Sequence, residues 1–332
     1  MGTGLVCMQK VADLQKAGVG VSIFLADYHS WINRKLGGDL ELIRDVAVGY
    51  FKEALKRSLL CVGGDPERLR VVTGYELYER LGITYLEDVL RVSKHLRLSR
   101  AMRSITIAGR RAGESLELAQ LLYVPMQVAD IFALGVNLVH SGMDQRKAHV
   151  IAMDMGDAFG YKPIALHHHL LTGLHITEAQ RNALMLARTS RDREKAEDQL
   201  LDIKMSKSKP HSAIFVHDTP EEIAAKISGA YCPKAETALN PVVELVEFVI
   251  CPLLAKEKKE IEIRNGKTGL AAAYGSIDAL KESYQKGEIH PADIKNYAIE
   301  QLTAILEPAR KYFAGKAGAR YMEQMEGIRI TR

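Results

Sequence analysis

The amino-acid sequence predicts an α/β fold in which a doubly wound parallel sheet is followed by an all-α C-terminal region. Four short runs rich in apolar residues have the length of strands, at 19–26, 68–73, 134–140 and 163–167. Helical patterns lie between these runs, and strands that alternate with helices pair in parallel through crossover helices. After residue 218 the pattern is only helical and loop-like, which predicts a separate helical region.

The N-terminal half begins with a helix rather than a strand. Apolar residues recur with helical spacing over 5–15, and Gly18 follows as a residue that ends a helix. After the first strand, Asp39 is a suitable N-cap for the next helix. A long helical pattern then runs over about 85–127, before the third and fourth strands.

The C-terminal half contains three clear helix starts. Thr177 and Gln180 have the spacing of a capping box. Thr219 precedes Pro220 as an N-cap precedes an N1 proline, and His290 stands in the same position before a proline. Each start predicts a helix that begins at the following residue.

Length and composition agree with two domains. The 332 residues are 47% hydrophobic and 26% charged, which is an ordinary globular composition. We expect a sheet-based domain over 1–203, a linker over 204–218 and a helical domain over 219–332. Within the first domain we expect a helical insertion at about 75–125 and a solvated, charged excursion at 175–203.

Composition excludes several classes of protein. No stretch of about 18 apolar residues could span a membrane, and the N-terminus carries no signal-peptide pattern. The four cysteines form no C-x-x-C pair, which favours a reducing cytoplasm and argues against disulfides and zinc sites. Three adjacent histidines, at 167–169, would point in different directions on a strand, so we predict no metal site. The net charge of +4 is compatible with a nucleic-acid partner without requiring one.

The turn Gly2-Thr3-Gly4 opens onto the first helix. Backbone N–H groups at a helix N-terminus bind anions, and glycine allows a phosphate to approach closely. The turn is therefore either a phosphate site or a plain helix cap. Because doubly wound folds usually place a strand before such a turn, we expect the functional protein to begin upstream of Met1. The intact mass of the natural protein would test this.

Three polar residues recur along a helix whose other positions are apolar. Tyr123, Gln127 and Asp130 fall within about 60° of one another around the helix axis, at roughly 100° per residue. Buried polar groups need hydrogen-bond partners. The stripe therefore indicates either a pocket for a small polar ligand or an internal hydrogen-bond network.

A charged loop follows the third strand, from Ser141 to Lys147. Ligands of open parallel sheets bind at the carboxyl ends of the strands. Asp144 could accept hydrogen bonds from ribose hydroxyls, and Gln145 could reach the polar end of a ligand. Arg146 and its neighbour Lys147 could face phosphates. The alternative is a charged surface loop.

Two lysines three residues apart, Lys204 and Lys207, lie in a serine-containing loop between the two predicted domains. A mobile cationic loop of this kind suits a clamp on a polyphosphate. The alternative is an ordinary solvated linker, but the position of the loop at a domain junction favours the clamp.

The glycine turn, the Y-x-x-x-Q-x-x-D stripe, the GMDQRK loop and the KMSKS loop together resemble the tyrosyl-tRNA synthetases, specifically their archaeal and eukaryotic branch. The resemblance covers nearly the whole chain. It implies a class I synthetase with a Rossmann-type catalytic domain, a connective insertion that builds a homodimer, and a helical anticodon-binding domain. The implied reaction joins L-tyrosine to tRNA(Tyr) through a tyrosyl-adenylate, with ATP and Mg²⁺ as the substrate complex and no prosthetic group.

The resemblance also implies roles for individual residues. The residues that bind tyrosine are Tyr123, Gln127, Asp130 and Gln145, with Asp130 accepting the tyrosine hydroxyl. The residues that bind ATP are Gly2 and Thr3, as the second half of the HIGH signature, with Gly142 and Asp144. The residues that steady the pyrophosphate leaving group are Lys204 and Lys207. The residues that contact tRNA are Arg103, Arg146 and Lys147 at the acceptor stem, with His290 and Asp293 at the anticodon.

The chain departs from the family pattern at four places. The HIGH signature is incomplete, the charged excursion lengthens the connection before KMSKS, and KMSKS replaces the KMSSS that is usual in this branch. Thr268 stands where relatives place an aromatic residue that stacks on the anticodon. Two alternatives remain open: a tryptophanyl-tRNA synthetase, against which Asp130 argues, and a non-catalytic tRNA-binding relative with a degraded ATP site. A nucleotidylyltransferase outside the synthetases is disfavoured by the helical domain after KMSKS.

Overall fold

The computed structural model describes residues 1–110, 115–189, 196, 199–200, 202–206, 210–325 and 328. The elements of its first half are, in chain order, α1 (Cys7–Lys16), β1 (Val21–Leu25), α2 (Asp27–Ile32), α3 (Leu40–Val46), α4 (Lys52–Cys61), β2 (Leu69–Thr73), α5 (Gly74–Leu81), α6 (Ile83–His95), α7 (Leu98–Ser104), α8 (Leu118–Leu121), α9 (Tyr123–Ala133), β3 (Leu138–Gly142), α10 (Arg146–Asp154), α11 (Gly156–Phe159) and β4 (Ile164–His168). Those of its second half are α12 (Glu178–Thr189), α13 (Pro220–Ser228), α14 (Pro241–Leu245), α15 (Cys251–Glu257), β5 (Ile261–Arg264), β6 (Ala271–Tyr274), α16 (Ile277–Gln285), α17 (Pro291–Ile305), α18 (Glu307–Ala314) and α19 (Lys316–Met325).

The chain forms two compact units, each assembled from separate stretches. The first unit comprises Met1–Gly18, Ala54–Pro66 and Leu170–Ala319, and the second comprises Val19–Glu53, Glu67–His169 and Arg320–Arg332. The four parallel strands all belong to the second unit. The domain boundaries expected at 203 and 218 stay a prediction.

The parallel strands confirm the predicted α/β class. They form two pairs, in which β1 lies beside β2 and β3 lies beside β4, both in parallel. The third strand begins later than predicted, at Leu138 rather than residue 134. The reason is that α9 extends to Ala133, and the chain then turns at Gly135, whose φ of +64° suits glycine.

The predicted helix ends are confirmed where the sequence carries a cap. A helical turn over Gly2–Val6 leads into α1, and Gly18 follows that helix with a φ of +80°. Asp39 accepts a hydrogen bond from Leu42 N at 3.0 Å, as an N-cap of α3. Thr219 and Glu222 form a reciprocal capping box at the start of α13.

The C-terminal region is mostly helical, and it also contains a two-stranded antiparallel ribbon that the sequence analysis did not predict. Strands β5 and β6 pair from Ile261 opposite Tyr274 to Arg264 opposite Ala271. The turn between them is held by Asn265 Oδ1, which accepts hydrogen bonds from two following backbone N–H groups. Four-residue strands, one of them alanine-rich, are too short to show a clear alternation in the sequence.

A hydrophobic core in the second unit holds the helices that carry the polar stripe. Helix α6 packs on α9, and α9 packs on α10. The buried side chains of this core include Val89, Val92, Val128, Ile131 and Ile151. Because these helices bury their apolar faces together, the polar positions of α9 are fixed relative to α6. Among the helices described, none is both long and apolar enough to cross a membrane.

Candidate active site

Two neighbouring strands of the second unit deliver the first residues of the site at their carboxyl ends. Helix α2 begins at Asp27 directly after β1, and α5 begins at Gly74 directly after β2. The Asp27 carboxylate accepts hydrogen bonds from Tyr28 N at 2.8 Å and Tyr75 N at 3.1 Å. A Cβ at residue 74 would lie 2.2 Å from Asp27 Oδ1, so a larger residue at this position would displace the Asp27 carboxylate.

The structure brings together two glutamines from the predicted tyrosine site. Gln127 on α9 donates from Nε2 to Gln145 Oε1 at 3.0 Å, and Gln145 in turn donates to Ile107 O at 3.1 Å. The buried Gln127 Oε1 accepts no hydrogen bond from the described residues. This oxygen is a buried acceptor that a ligand's N–H group could satisfy.

Asp130 lies at the other end of the stripe, buried, and its carboxylate already accepts two hydrogen bonds. Tyr78 and Tyr85 both donate their hydroxyls to Asp130 Oδ1, at 2.9 and 2.8 Å. The two phenol rings stack with their centroids 3.9 Å apart. Neither tyrosine was predicted as a site residue, because aromatic residues on an amphipathic helix are ordinarily core residues.

His29 faces the second oxygen of the same carboxylate. Its Nε2 atom lies 3.5 Å from Asp130 Oδ2, and its ring meets Tyr123 edge-on at 4.7 Å. Burial lowers the pKa of His29 to about 4, so the imidazole is neutral at pH 7. The contact is therefore not an ion pair, and His29 does not neutralise the carboxylate.

Burial dominates the electrostatics of Asp130. It raises the pKa of that carboxyl to about 7, against the hydrogen bonds from Tyr85 and Tyr78, which lower it. The nearby charge of Asp27 adds to the increase. With a pKa so close to neutrality, the gain or loss of one hydrogen bond shifts the ionised fraction of this carboxyl group.

The stripe's remaining residue, Tyr123, is held close to the loop after β3. Burial raises the pKa of the Tyr123 hydroxyl, and the negative charges of Asp144 and Asp130 raise it further. Asp144 belongs to a short 3₁₀ turn that follows the buried Gly142 and precedes α10. The predicted ATP residues Gly142 and Asp144 thus lie in the second unit, whereas Gly2 and Thr3 lie in the first.

Two of the three predicted acceptor-stem residues are in contact. Lys147 Nζ donates to Arg103 O at 2.9 Å and to Thr106 Oγ1 at 3.2 Å. The side chains of Arg103 and Arg146 are exposed. Lys147 thus ties α10 to the end of α7, while the two arginines are accessible to a partner.

The KMSKS loop is anchored in the first unit at its beginning. Lys204 forms an isolated antiparallel bridge with Thr172, and Met205 N donates to Leu171 O at 2.8 Å. The buried Glu244 carboxylate accepts from Thr172 N at 2.7 Å and from its hydroxyl at 3.0 Å. Lys207, the second predicted lysine, lies outside the described residues, as does much of the charged excursion.

The two predicted anticodon residues both have intramolecular partners. His290 Nδ1 accepts from Ala292 N at 3.1 Å as the N-cap of α17. Asp293 is buried, and its Oδ1 accepts from Gly266 N at 3.0 Å. Asp293 therefore fixes the turn between β5 and β6 against α17, and the exposed Thr268 lies in that turn.

The adjacent histidines of β4 point to different partners, as expected. His167 Nε2 lies 3.0 Å from His149 Nδ1, and His168 Nδ1 lies 3.0 Å from His140 Nε2. Burial lowers the pKa of His149 to about 4, which favours a neutral pair. Each of these imidazoles thus has a hydrogen-bond partner within the second unit.

Comparison with known proteins places this geometry in a family. Residues 1–185 and 196–307 match the model of the class I tRNA synthetases for tryptophan and tyrosine. The chain is 45% identical over 343 residues to the tyrosine–tRNA ligase of Thermococcus sibiricus, covering 100% of this chain and 88% of the relative. It is 43% identical over 343 residues to the ligase of Pyrococcus horikoshii, again covering 100% and 88%.

Solved structures give the same result. The Pyrococcus horikoshii tyrosyl-tRNA synthetase complexed with L-tyrosine superposes with a TM-score of 0.87 at 43% identity, covering 98% of this chain and 87% of that one. The Archaeoglobus fulgidus enzyme complexed with L-tyrosine gives 0.74 at 33%, covering 92% and 84%. These matches confirm the predicted Rossmann-type fold class. Since the family model and the relatives extend over nearly all of its residues, the chain belongs to the class I tRNA synthetases for tryptophan and tyrosine.

Proposed function

We propose that this chain is a tyrosine–tRNA ligase. The observation that carries the proposal is the buried carboxylate of Asp130, on the same helix face as Gln127 and Tyr123. A tyrosine side chain ends in a hydroxyl, and a buried carboxylate is a strong acceptor for it. The names of the relatives from Thermococcus and Pyrococcus support the same activity.

The reaction runs in two steps, and positioning with charge stabilisation accounts for its catalysis. The tyrosine carboxylate attacks the α-phosphate of Mg-ATP, which gives tyrosyl-adenylate and pyrophosphate. The terminal ribose hydroxyl of tRNA(Tyr) then takes the tyrosyl group and releases AMP. No side chain has to act as a nucleophile, so the residues orient the reactants and balance their charge.

We assign the residues to these steps as follows. Tyr123, Gln127 and Gln145 bind the amino-acid part of tyrosine, and Asp130 accepts its hydroxyl. The nucleotide is held by Gly2, Thr3, Gly142 and Asp144. The leaving pyrophosphate is steadied by Lys204 and Lys207, and the tRNA is contacted by Arg103, Arg146, Lys147, His290 and Asp293.

Tyrosine-dependent pyrophosphate exchange tests the activity against both alternatives. We expect exchange with L-tyrosine and ATP, followed by charging of tRNA(Tyr), and only background exchange with L-tryptophan. Exchange that prefers tryptophan would assign the chain to the other branch of its family. Binding of tRNA without exchange for either amino acid would indicate a non-catalytic relative.

We predict that Arg103 and Arg146 serve tRNA and not tyrosine. Both side chains are exposed, and the Lys147 link keeps their helices together. Replacing both with alanine is expected to leave pyrophosphate exchange near normal. The rate of tRNA charging should fall. The slope of log affinity for tRNA against log salt concentration should become shallower by about one unit for each phosphate contact that is lost. Equal losses in both half-reactions would contradict the assignment. Lys162→Ala, at an exposed lysine paired with Asp157, is the matched control.

We also propose a homodimer built on the predicted insertion. Ile83, Leu86 and Leu90 recur along one face of α6, and their exposed fractions are 68%, 49% and 52%. On α8, Leu118 is 81% exposed. Large apolar side chains grouped on one helix face are typical of protein–protein interfaces.

The double variant Leu86→Glu/Leu90→Glu is expected to be monomeric in sedimentation equilibrium, whereas the unmodified chain sediments as a dimer. Burying two charges in the interface costs more free energy than the remaining apolar contact supplies, so the dimer should dissociate. The control is Thr84→Glu, which adds a charge to the same helix away from the leucine face. A dimer that survives the double variant would place the interface elsewhere.

A cytoplasmic location is part of the same proposal. None of the four cysteines, all of which the structure describes, forms a disulfide. Burial raises the pKa of Cys7 and of Cys251 to about 12, so both thiols stay protonated and unreactive at neutral pH. Cysteines that form no disulfide suit a reducing compartment.

A further inference from the structure

The two oxygens of the Asp130 carboxylate are in different environments. Oδ1 accepts both phenol hydroxyls, from Tyr78 and Tyr85, while Oδ2 faces the neutral ring of His29 at 3.5 Å. We propose that Tyr78 and Tyr85 are positioning residues for tyrosine recognition, which hold Oδ1 and leave Oδ2 for the substrate hydroxyl. This inference rests on the proposed function, in which Asp130 accepts that hydroxyl.

The geometry around Oδ1 fixes the orientation of the carboxylate. Because the two donors come from different helices, α5 and α6, a rotation of the Asp130 side chain would break two hydrogen bonds at once. The donors are themselves held in place, since their rings stack at 3.9 Å and Tyr28 packs on Tyr78 at 5.2 Å. A fixed acceptor discriminates between ligands because it cannot turn away to find another partner.

Apart from the two phenols, none of the titratable groups described around Asp130 stabilises its negative charge. From α2, Asp27 is a like charge and His29 is neutral at pH 7. From its own helix, Tyr123 is a neutral phenol. No lysine or arginine among the described residues forms an ion pair with Asp130. The two phenol hydrogen bonds are therefore the interactions that hold the ionised form against burial.

Losing these hydroxyls has a consequence for substrate choice. With phenylalanine bound, which offers no hydroxyl, Oδ2 of the ionised carboxylate is left without a hydrogen-bond donor, and this cost rejects phenylalanine. Without the phenol hydrogen bonds the pKa of Asp130 rises above neutrality, and the carboxyl group becomes protonated. A neutral carboxyl group is a weaker acceptor for tyrosine and is less costly to leave unpaired with phenylalanine.

The test measures kcat/KM for tyrosine and for phenylalanine in pyrophosphate exchange between pH 6 and 9. Tyr78→Phe and Tyr85→Phe are each expected to lower the tyrosine value at pH 7 by about fivefold, because a pKa that rises by about one unit from about 7 lowers the ionised fraction from about one half to about one tenth. The pH at which activity is half-maximal should rise by about one unit, and activity should recover at high pH. The ratio of tyrosine to phenylalanine should fall, and further in the double variant.

The matched control is Tyr28→Phe. The Tyr28 hydroxyl accepts from Arg44 at 2.8 Å and packs in the same aromatic cluster, but it makes no hydrogen bond to Asp130. Its pH profile and substrate ratio should equal those of the unmodified chain. If Tyr28→Phe, Tyr78→Phe and Tyr85→Phe all lose activity to the same extent and keep the original pH midpoint, Tyr78 and Tyr85 act only in packing. That result would overturn the inference.

Asp130→Asn separates this inference from the function on which it rests. If that variant keeps the tyrosine-to-phenylalanine ratio, Asp130 is not the hydroxyl acceptor and the proposed role of Asp130 fails first. If it loses the ratio while Tyr78→Phe and Tyr85→Phe retain both the ratio and the pH midpoint, only the inference fails. A ¹³C NMR titration of the Asp130 carboxyl carbon in the full chain gives an independent readout, and an unchanged midpoint in both tyrosine variants would also overturn it.

Discussion

Asp130→Ala is expected to abolish most tyrosine activation and to bring kcat/KM for phenylalanine much closer to that for tyrosine. In the unmodified chain, phenylalanine leaves a buried carboxylate without its partner, and the penalty falls on the wrong substrate. Asp130→Ala removes both the acceptor for the tyrosine hydroxyl and the buried charge that phenylalanine cannot satisfy. Tyrosyl-tRNA synthetases are themselves the reference case for such rejection, at about 10⁵-fold, so this magnitude is taken from that family.

The measurement is kcat/KM for both amino acids in pyrophosphate exchange. We expect the tyrosine-to-phenylalanine ratio to fall by a factor of at least about 10², which is the scale for losing one hydrogen bond to a buried charge. Asp157→Ala is the matched control, because Asp157 lies on α11, is 91% exposed and pairs with Lys162. If Asp130→Ala retains the original ratio, Asp130 is a structural residue and the choice of tyrosine needs another explanation.

Local periodicity was sufficient to predict one side of the candidate site. Tyr123, Gln127 and Asp130 share a helix face because of their spacing alone, and the structure places all three on α9. The contact between Gln127 and Gln145 follows from the position of the loop after β3. Helical spacing and the strand-end rule are both local, so they can be read from a single sequence.

The other side of the site depends on contacts that no local pattern encodes. Tyr78 and Tyr85 meet Asp130 across 52 and 45 residues of chain, by the packing of α5 and α6 against α9. On their own helices both look like ordinary apolar-face residues. His29 enters the candidate site through its 3.5 Å approach to Asp130, which no local pattern predicts.

The fold was predictable to the same extent. The four parallel strands could be predicted because buried strands are apolar. The N-caps at Asp39 and Thr219 could be predicted because only a few residue types are favoured at that position. The β5–β6 ribbon was missed because its strands are short and Ala271–Tyr274 favours helix as much as strand. The late start of β3 was not predicted, because the apolar residues Leu134 and Val136 are compatible both with the end of a helix and with the start of a strand.

The lysines of the KMSKS loop are expected to act in adenylate formation more than in tyrosine binding. Negative charge on the departing pyrophosphate is greatest in the transition state, so a cation that meets it there raises kcat rather than ground-state affinity. Lys204→Ala and Lys207→Ala should each lower kcat of pyrophosphate exchange by about 10²-fold or more, with little change in the KM for tyrosine.

Lys204 is well suited to this comparison because its backbone has a fixed place. Its bridge to Thr172, which Glu244 holds through two hydrogen bonds, does not depend on the side chain, so Lys204→Ala should keep the loop's starting point. Lys311→Ala is the matched control, since that lysine is exposed and pairs with Glu307 one helical turn away. A change confined to the KM for tyrosine would contradict a transition-state role, because it is the signature of binding that is equal in ground and transition states. Loss of kcat in the Lys204 variant alone would limit the clamp to that lysine.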